Sequence, residues 1–388
     1  MNRSLWRVFL ILVVAGLGTG LGTIGPEELS PSEAFAADDV PATESTAVEP
    51  YAPPTLREPG AWTAIVVPDP QTYNKFGRNQ GIFDLMTAWI AEQREKLNVQ
   101  MVLVTGDLVE QNGVTEVKKP KEHNQTSAQQ WAAARRSLER LGETIPCIVC
   151  SGNHDYGIVS AENRESQLNT YFPTDWSPLL ASRLVECGDN AFGEKTLENA
   201  AYRFDDLPGW SKTLVITLEF APSDRSLAWA ASVAARPEFA DYKIWILTHS
   251  YLESTGKRIQ KEGYEVADAN YGEAIWNKLI QPTDQIRFVV CGHIASPDSW
   301  AGSVHFSEDT NAAGHPVAQM LFDTQAIGGG WHGNGGDGWL RILEFSPDGH
   351  TVHATTFSPL FGISPTTQSK AWNREPLNEF QFELDQTP

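Results

Sequence analysis

The chain reads as an α/β fold with a second sheet packed on the first. Two observations predict this. Between Ala61 and Cys150, apolar strand runs alternate with helical segments, and after Ile286 the chain turns to strands with little helix between them. Strand–helix–strand alternation implies parallel pairing through crossover helices, and late strands without helices imply a further sheet. The first strand is the β-branched run Trp62 to Val67, ending at Pro68-Asp69. Residues 81–97 have helical periodicity, with Ile82, Leu85, Met86, Trp89, Ile90 and Leu97 able to share one face. Met101 to Val104 is the next strand, ending at Thr105-Gly106-Asp107, and Ala128 to Leu141 the next helix. Residues 145–150 follow as a strand.

Residues 156–212 look like long irregular loops over a site. Regularity then returns with strands at 214–220, 242–247 and 286–291 and a helix at 226–235. Segments 316–323, 338–346 and 350–357 are strand-like.

The composition is globular: of 388 residues, 41% are hydrophobic and 20% charged, enough for a large core. The formal net charge of −20 argues against a nucleic-acid polymer as partner, because such binders carry a basic footprint. A small phosphorylated molecule is not excluded. Arg3 and Arg7, the apolar run Phe9 to Val14 and the small-x-small triplet Ala34-Phe35-Ala36 read as an export signal over residues 1–36. This places the mature chain in the periplasm or outside the cell, without a stable membrane span. The alternative is an uncleaved N-terminal anchor. Residues 37–60, rich in Pro, Ala, Thr and acids, read as a flexible linker. Cys147, Cys150, Cys187 and Cys291 read as small buried thiols, since the C-x-x-C pair lies in an apolar strand with its members on opposite faces.

The chemistry lies at the strand ends. Five apolar strands each run into a metal-ligand type of residue: Asp69, Asp107, Asn153-His154, His249 and Gly292-His293. Strand C-termini of an α/β sheet gather on one edge, so residues far apart in sequence meet there. Any one of these is an ordinary turn, but five in one order are not.

In this order the chain resembles the calcineurin-like metallophosphoesterases, whose pattern is D-x-H, G-D, G-N-H-[DE], an isolated H, and G-H-x-H. Here these are Asp69-Pro70-Gln71, Gly106-Asp107, Gly152-Asn153-His154-Asp155, His249 and Gly292-His293-Ile294-Ala295. The resemblance implies a four-layer α/β/β/α sandwich of two mixed sheets flanked by helices over residues 61–388, with the active site at strand C-terminal ends. It also implies two divalent ions, Mn, Fe or Zn, that clamp a phosphate and activate water. One site is complete in Asp107, Asn153, His249 and His293. The other has Asp69 and the shared Asp107, but Gln71 stands where a histidine is expected and Ala295 where the last one is. Gln71 can coordinate through its amide oxygen, so this site is expected to be weaker and to favour oxygen-loving ions such as Mn or Mg. His305, ten residues past Ala295, is a conceivable substitute, although a loop histidine is ordinarily solvated.

The resemblance further implies that His154 sits over the phosphate as a catalytic residue, with Asp155 orienting it. For Asp155 a cap or turn role competes. The glycine-rich segment 328–338, with His332, reads as a structural loop. The function expected is hydrolysis of a phosphomonoester or phosphodiester. The competing readings are a catalytically impaired single-metal relative serving as a binding or scaffold protein of the cell envelope, and a saccharide-binding scaffold suggested by the 13 tryptophans. The enzyme is favoured because the complete site and His154 are all retained.

Overall fold

Side-chain alternation along the strands sorts the chain into two sheets that share one core. The computed structural model describes residues 50–384 except residues 211 and 298, so the export signal and most of the linker lie outside the described residues. The strands, in chain order, are β1 (Trp62–Val67), β2 (Val99–Val104), β3 (Cys147–Val149), β4 (Leu184–Asp189), β5 (Lys195–Phe204), β6 (Thr213–Thr217) and β7 (Lys243–Leu247). They continue as β8 (Ile286–Cys291), β9 (Val304–Thr310), β10 (Pro316–Phe322), β11 (Leu340–Phe345), β12 (Thr351–Phe357), β13 (Trp372–Asn373) and β14 (Glu379–Glu383). The longer helices are α1 (Gln80–Gln93), α2 (Ser127–Gly142) and α3 (Asp224–Ala234).

One sheet has the order β13-β12-β11-β1-β2-β3, with β14 also on β12; the other is β4-β5-β6-β7-β8-β10-β9. The runs β1-β2-β3 and β6-β7-β8-β10 are parallel, and the remaining pairs are antiparallel. Both sheets are therefore mixed, as expected.

Parity along the second sheet shows how the layers stack. Val215, Trp245, Leu247, Phe288, Val290, Met320 and Phe322 join the core that contains β1, β11 and β12. Their neighbours Leu214, Ile216, Ile244, Ile246, Val289 and Leu321 pack instead with Leu227, Ala230 and Val233 of α3. Alternate residues of a strand point to opposite faces, so each strand serves two layers. Helices α1 and α2 contribute Phe83, Met86, Ile90, Trp131 and Leu138 to the core on the first sheet's side. The helix ends are closed locally: Thr126 and Gln129 form a capping box on α2, and Ser223 caps α3.

The middle of the chain differs from expectation. Residues 184–204 form the antiparallel pair β4–β5, with β5 ten residues long. Its strand pattern is hidden because it buries polar residues. The Glu198 carboxylate accepts from Tyr156 (2.7 Å), Asn169 (2.7 Å), Asn190 (3.1 Å) and Thr196 (3.2 Å), so a satisfied polar network takes the place of apolar alternation. Residues 52–57 are also not free linker. The Ala52 carbonyl accepts from Trp372 Nε1 at 2.9 Å, and the Arg57 N–H donates to Glu344 at 2.6 Å.

All four cysteines are buried with free thiols. Among the described tryptophans only Trp331 exceeds a third exposed, which accounts for their number as packing rather than as a binding surface. Among the described residues no helix is long and apolar enough to cross a membrane.

Trp62 joins the two sheets, fully buried and stacked on Phe345 with ring centroids 4.0 Å apart and on Trp245 at 6.4 Å. Trp62→Ala is expected to lower stability by about 3–5 kcal/mol in urea unfolding, the usual cost of emptying a core aromatic site. A loss below about 1 kcal/mol would show that the sheets do not depend on this contact.

Candidate metal centre

Parallel strands deliver the polar residues to one edge. Asp69, His249 and His293 each lie two residues past β1, β7 and β8, while Asp107 and Asn153 follow β2 and β3 within four residues. Hydrogen bonds then lock motif to motif. The His154 N–H donates to Asp107 Oδ1 at 2.9 Å, and the His293 N–H donates to Asp69 Oδ2 at 2.9 Å. These close approaches explain two of the glycines. A Cβ on Gly152 would stand 2.1 Å from Asp107 Oδ1, and one on Gly292 would stand 2.2 Å from Asp69 Oδ1. Asp107 (φ +47°) and His293 (φ +77°) both sit in the left-handed region, a strain that persists only where surroundings enforce it.

The decisive geometry is at His249, which is fully buried. Its Nδ1 donates to the Thr105 carbonyl at 2.8 Å, so Nε2 turns its lone pair inward. Around that Nε2 stand Asn153 Oδ1 at 3.0 Å, His293 Nδ1 at 3.1 Å and Asp107 Oδ2 at 3.2 Å. The partners are pinned from outside as well. Asn153 Nδ2 donates to Ser160 Oγ at 2.8 Å, and His293 Nε2 donates to Glu262 Oε1 at 2.6 Å. Four acceptor atoms thus face one another at short range, which is unfavourable unless a proton or cation lies among them. Donors held at about 2.0–2.2 Å from one small ion stand about 3.0–3.5 Å from each other, so this set fits a divalent transition ion. All four residues expected for the complete site are brought together.

Electrostatics agree. Burial would raise the Asp107 carboxyl, but the neighbouring His249, His154 and His293 outweigh it and hold it at about 2. For His293, burial pulls the imidazolium down. The hydrogen bond and charge of Glu262 outweigh that, and the net is upward. Glu262 was not singled out from sequence, because it lies in a polar loop without a motif. Its second oxygen accepts from Ser250 Oγ at 2.5 Å, so it is the carboxylate that orients the His293 ring.

The Asp69 side is built differently. Asp69 is fully buried and accepts from Thr105 Oγ1 at 2.6 Å. Gln71 is 3% exposed; its Nε2 donates to Gln325 Oε1, and its own Oε1 is buried without a partner. Asp323, directly after β10 and fully buried, lies close enough to Asp69 for their charges to act on each other. Burial first, then the charges of Asp323 and Asp107, push the Asp69 carboxyl well above its usual range, and burial raises Asp323 also. An orphaned acceptor among crowded carboxylates fits a cation. Ala295 brings no donor, and His305 does not replace it: it lies on β9, with its ring against Gly256. His332 lies in the glycine-rich loop, which packs on the first motif through Asn79 to the Gly333 carbonyl (2.9 Å) and Gly338 N–H to Tyr73 Oη (3.0 Å).

Asp155 is a correction. It does not contact the His154 ring; its oxygens accept the N–H groups of Gly152 (2.8 Å) and Val109 (3.2 Å). It is a turn residue that ties β3's loop to β2's, and burial raises its carboxyl. The His154 ring is oriented instead by the Glu110 carbonyl, which accepts from Nδ1 at 2.7 Å.

The calcineurin-like phosphoesterase family model matches residues 63–297. The chain belongs to the calcineurin-like phosphoesterase family. The match includes every strand-end residue from Asp69 to His293, but not Asp323. The chain is also similar to the uncharacterized protein YvnB of Bacillus subtilis strain 168, at 26% identity over 317 residues. That alignment covers 79% of this chain and 20% of YvnB, so the chain spans about a fifth of that relative. Among solved structures, a dimetal phosphatase from Danio rerio aligns with a TM-score of 0.45 at 11% identity, covering 83% of this chain and 98% of that one. The inner-membrane-complex anchor GAP50 of Plasmodium aligns with a TM-score of 0.39 at 11% identity, covering 84% and 88%.

In this calcineurin-like phosphoesterase, Asp155→Ala is expected to cost stability, about 1–3 kcal/mol for each buried donor it orphans, read by urea unfolding. Unchanged stability with altered turnover would return Asp155 to an orienting role. Glu262→Gln is expected to weaken metal binding at the His249–His293 site about 10–100-fold in a chelator competition. Equal affinity would mean that Glu262 does not tune the site.

Proposed function

We propose that this chain hydrolyses a small phosphomonoester or phosphodiester at an asymmetric pair of divalent-ion sites. The observation that carries the reading is the convergence of Asp107 Oδ2, Asn153 Oδ1, His249 Nε2 and His293 Nδ1 within hydrogen-bonding range of His249 Nε2. Divalent ions bound there supply Lewis acidity and lower the pKa of water, so that the attacking group is available near neutral pH.

The chain's own residues do the rest. Asp107, Asn153, His249 and His293 hold the complete site, and Asp69 with Gln71 contributes to the second. The outer bonds to Thr105, Ser160 and Glu262 keep the ligand atoms pointed inward, which limits reorganisation. His154 is the proton donor to the leaving oxygen. Because Nδ1 is spent on the Glu110 carbonyl, Nε2 is the nitrogen that exchanges a proton.

A cleft of ≈560 Å³ supports a small substrate. It is lined by Gln111, Lys118, Lys119, His123, Ile158 and Val159. Its Gln111 follows Glu110, whose carbonyl bonds His154, and its Val159 precedes Ser160, which bonds Asn153. Its Lys118 and Lys119 pair with Glu116 and Glu122 of the same lining, so their charges are balanced within the cleft. The N-terminal signal features extend the reading to an exported enzyme.

His154→Ala is expected to lower kcat by about 10²-fold or more, the usual contribution of a positioned proton donor. The loss should be larger for an alkyl phosphate than for p-nitrophenyl phosphate, whose leaving group needs no proton. An equal loss on both would remove His154 from the donor role. Absence of turnover on mono- and diesters with Mn, Fe, Zn or Mg would sink the enzymatic reading altogether.

A further inference from the structure

We propose that Asp323 supplies the ligand that Ala295 cannot, converting the site beside Asp69 into an all-oxygen one. The inference rests on the preceding reading that the Asp69 side binds an ion.

The topology makes the exchange natural. Strands β8 and β10 are parallel neighbours with Leu321 opposite Cys291. Asp323 and His293 each come two residues after that pair, at the same sheet edge. A carboxylate just past β10 can therefore reach a place that a residue two positions past His293, in the loop after β8, would otherwise serve.

The surroundings point to a cation rather than to a structural pair. Asp69, Asp107 and Asp323 are at most 1% exposed, and among the described residues no Lys or Arg side chain pairs with any of them. Gln71 aligns with the position of a family ligand, and its buried Oε1 accepts nothing. The amides around it are cross-linked: Gln325 Nε2 donates to Asp323 Oδ2 at 2.9 Å and lies 3.4 Å from Asp69 Oδ2. Its Oε1 accepts from Gln71 Nε2 and from Thr72 Oγ1 at 3.3 Å. Gln325 thus holds Asp323, Asp69 and Gln71 as one unit. Three carboxylates and an amide oxygen form a hard donor set that suits Mn or Mg over Zn. The two sites of one chain then differ in kind, nitrogen-rich at His249–His293 and oxygen-only at Asp69–Asp323.

The test is metal stoichiometry, independent of turnover. Metal-stripped full-length protein is titrated with Zn and then Mn, and bound metals are counted after desalting. The expected result is one Zn and one Mn per chain, with Asp323→Asn retaining the Zn and losing the Mn. Two Zn and no Mn, or an Asp323→Asn protein that folds and still keeps its Mn, would overturn the proposal. If that variant fails to fold, the wild-type count alone decides. Hydrolysis with a single Zn and no Mn would overturn the oxygen-only site and leave the phosphoesterase reading standing. Two distinct ions without hydrolysis would do the reverse.

Discussion

The carboxylate of Asp107 is the point on which the site depends. One oxygen takes the His154 N–H, and the other faces His249, so a single side chain joins the ends of three strands. That arrangement demands the left-handed backbone at Asp107 and a glycine at position 152, because any Cβ there would collide with the carboxylate. Moving Asp107 would release the loop that presents Asn153 and His154 and withdraw a carboxylate oxygen from His249.

The two halves of the centre use opposite ways of managing buried polarity. Around His249, each ligand is bonded on its outer side, and its inner atom is left as an acceptor. Four such atoms create a demand for positive charge that a proton on His293 or a bound cation would meet. Around Asp69, the Gln325 amide, held in turn by Gln71, bridges the carboxylates of Asp323 and Asp69 and satisfies part of that demand. The first half is preorganised for an ion, and the second trades some preorganisation for internal bonding.

The strands and long helices were legible because each buries an apolar face with period 2 or 3.6. Strands β1 and β8 fall where the β-branched runs place them, and the ligands fall at strand ends. The pair β4–β5 was not legible, since Glu198 and its partners bury polarity in the middle of a strand. Asp155 was misread for a related reason: a motif shows that a carboxylate is present, whereas its direction depends on which backbone donors the neighbouring loop offers. Asp323 closes the strand run 316–323 and carried the same strand-end signal as Asp69 and Asp107, but no motif drew attention to it. Glu262 carried no signal, as it reaches His293 from a loop.

The amino-acid sequence by itself determined the family, through its motifs, and the layered α/β architecture with Asp107, Asn153, His249 and His293 at strand ends, because strand periodicity and strand-end position are local properties. Tertiary structure decided which atoms face inward, that Glu110 and not Asp155 orients His154, and that Asp323 stands beside Asp69. Those outcomes depend on strand register and on competition among buried donors and acceptors, quantities that exist only once the sheets have paired.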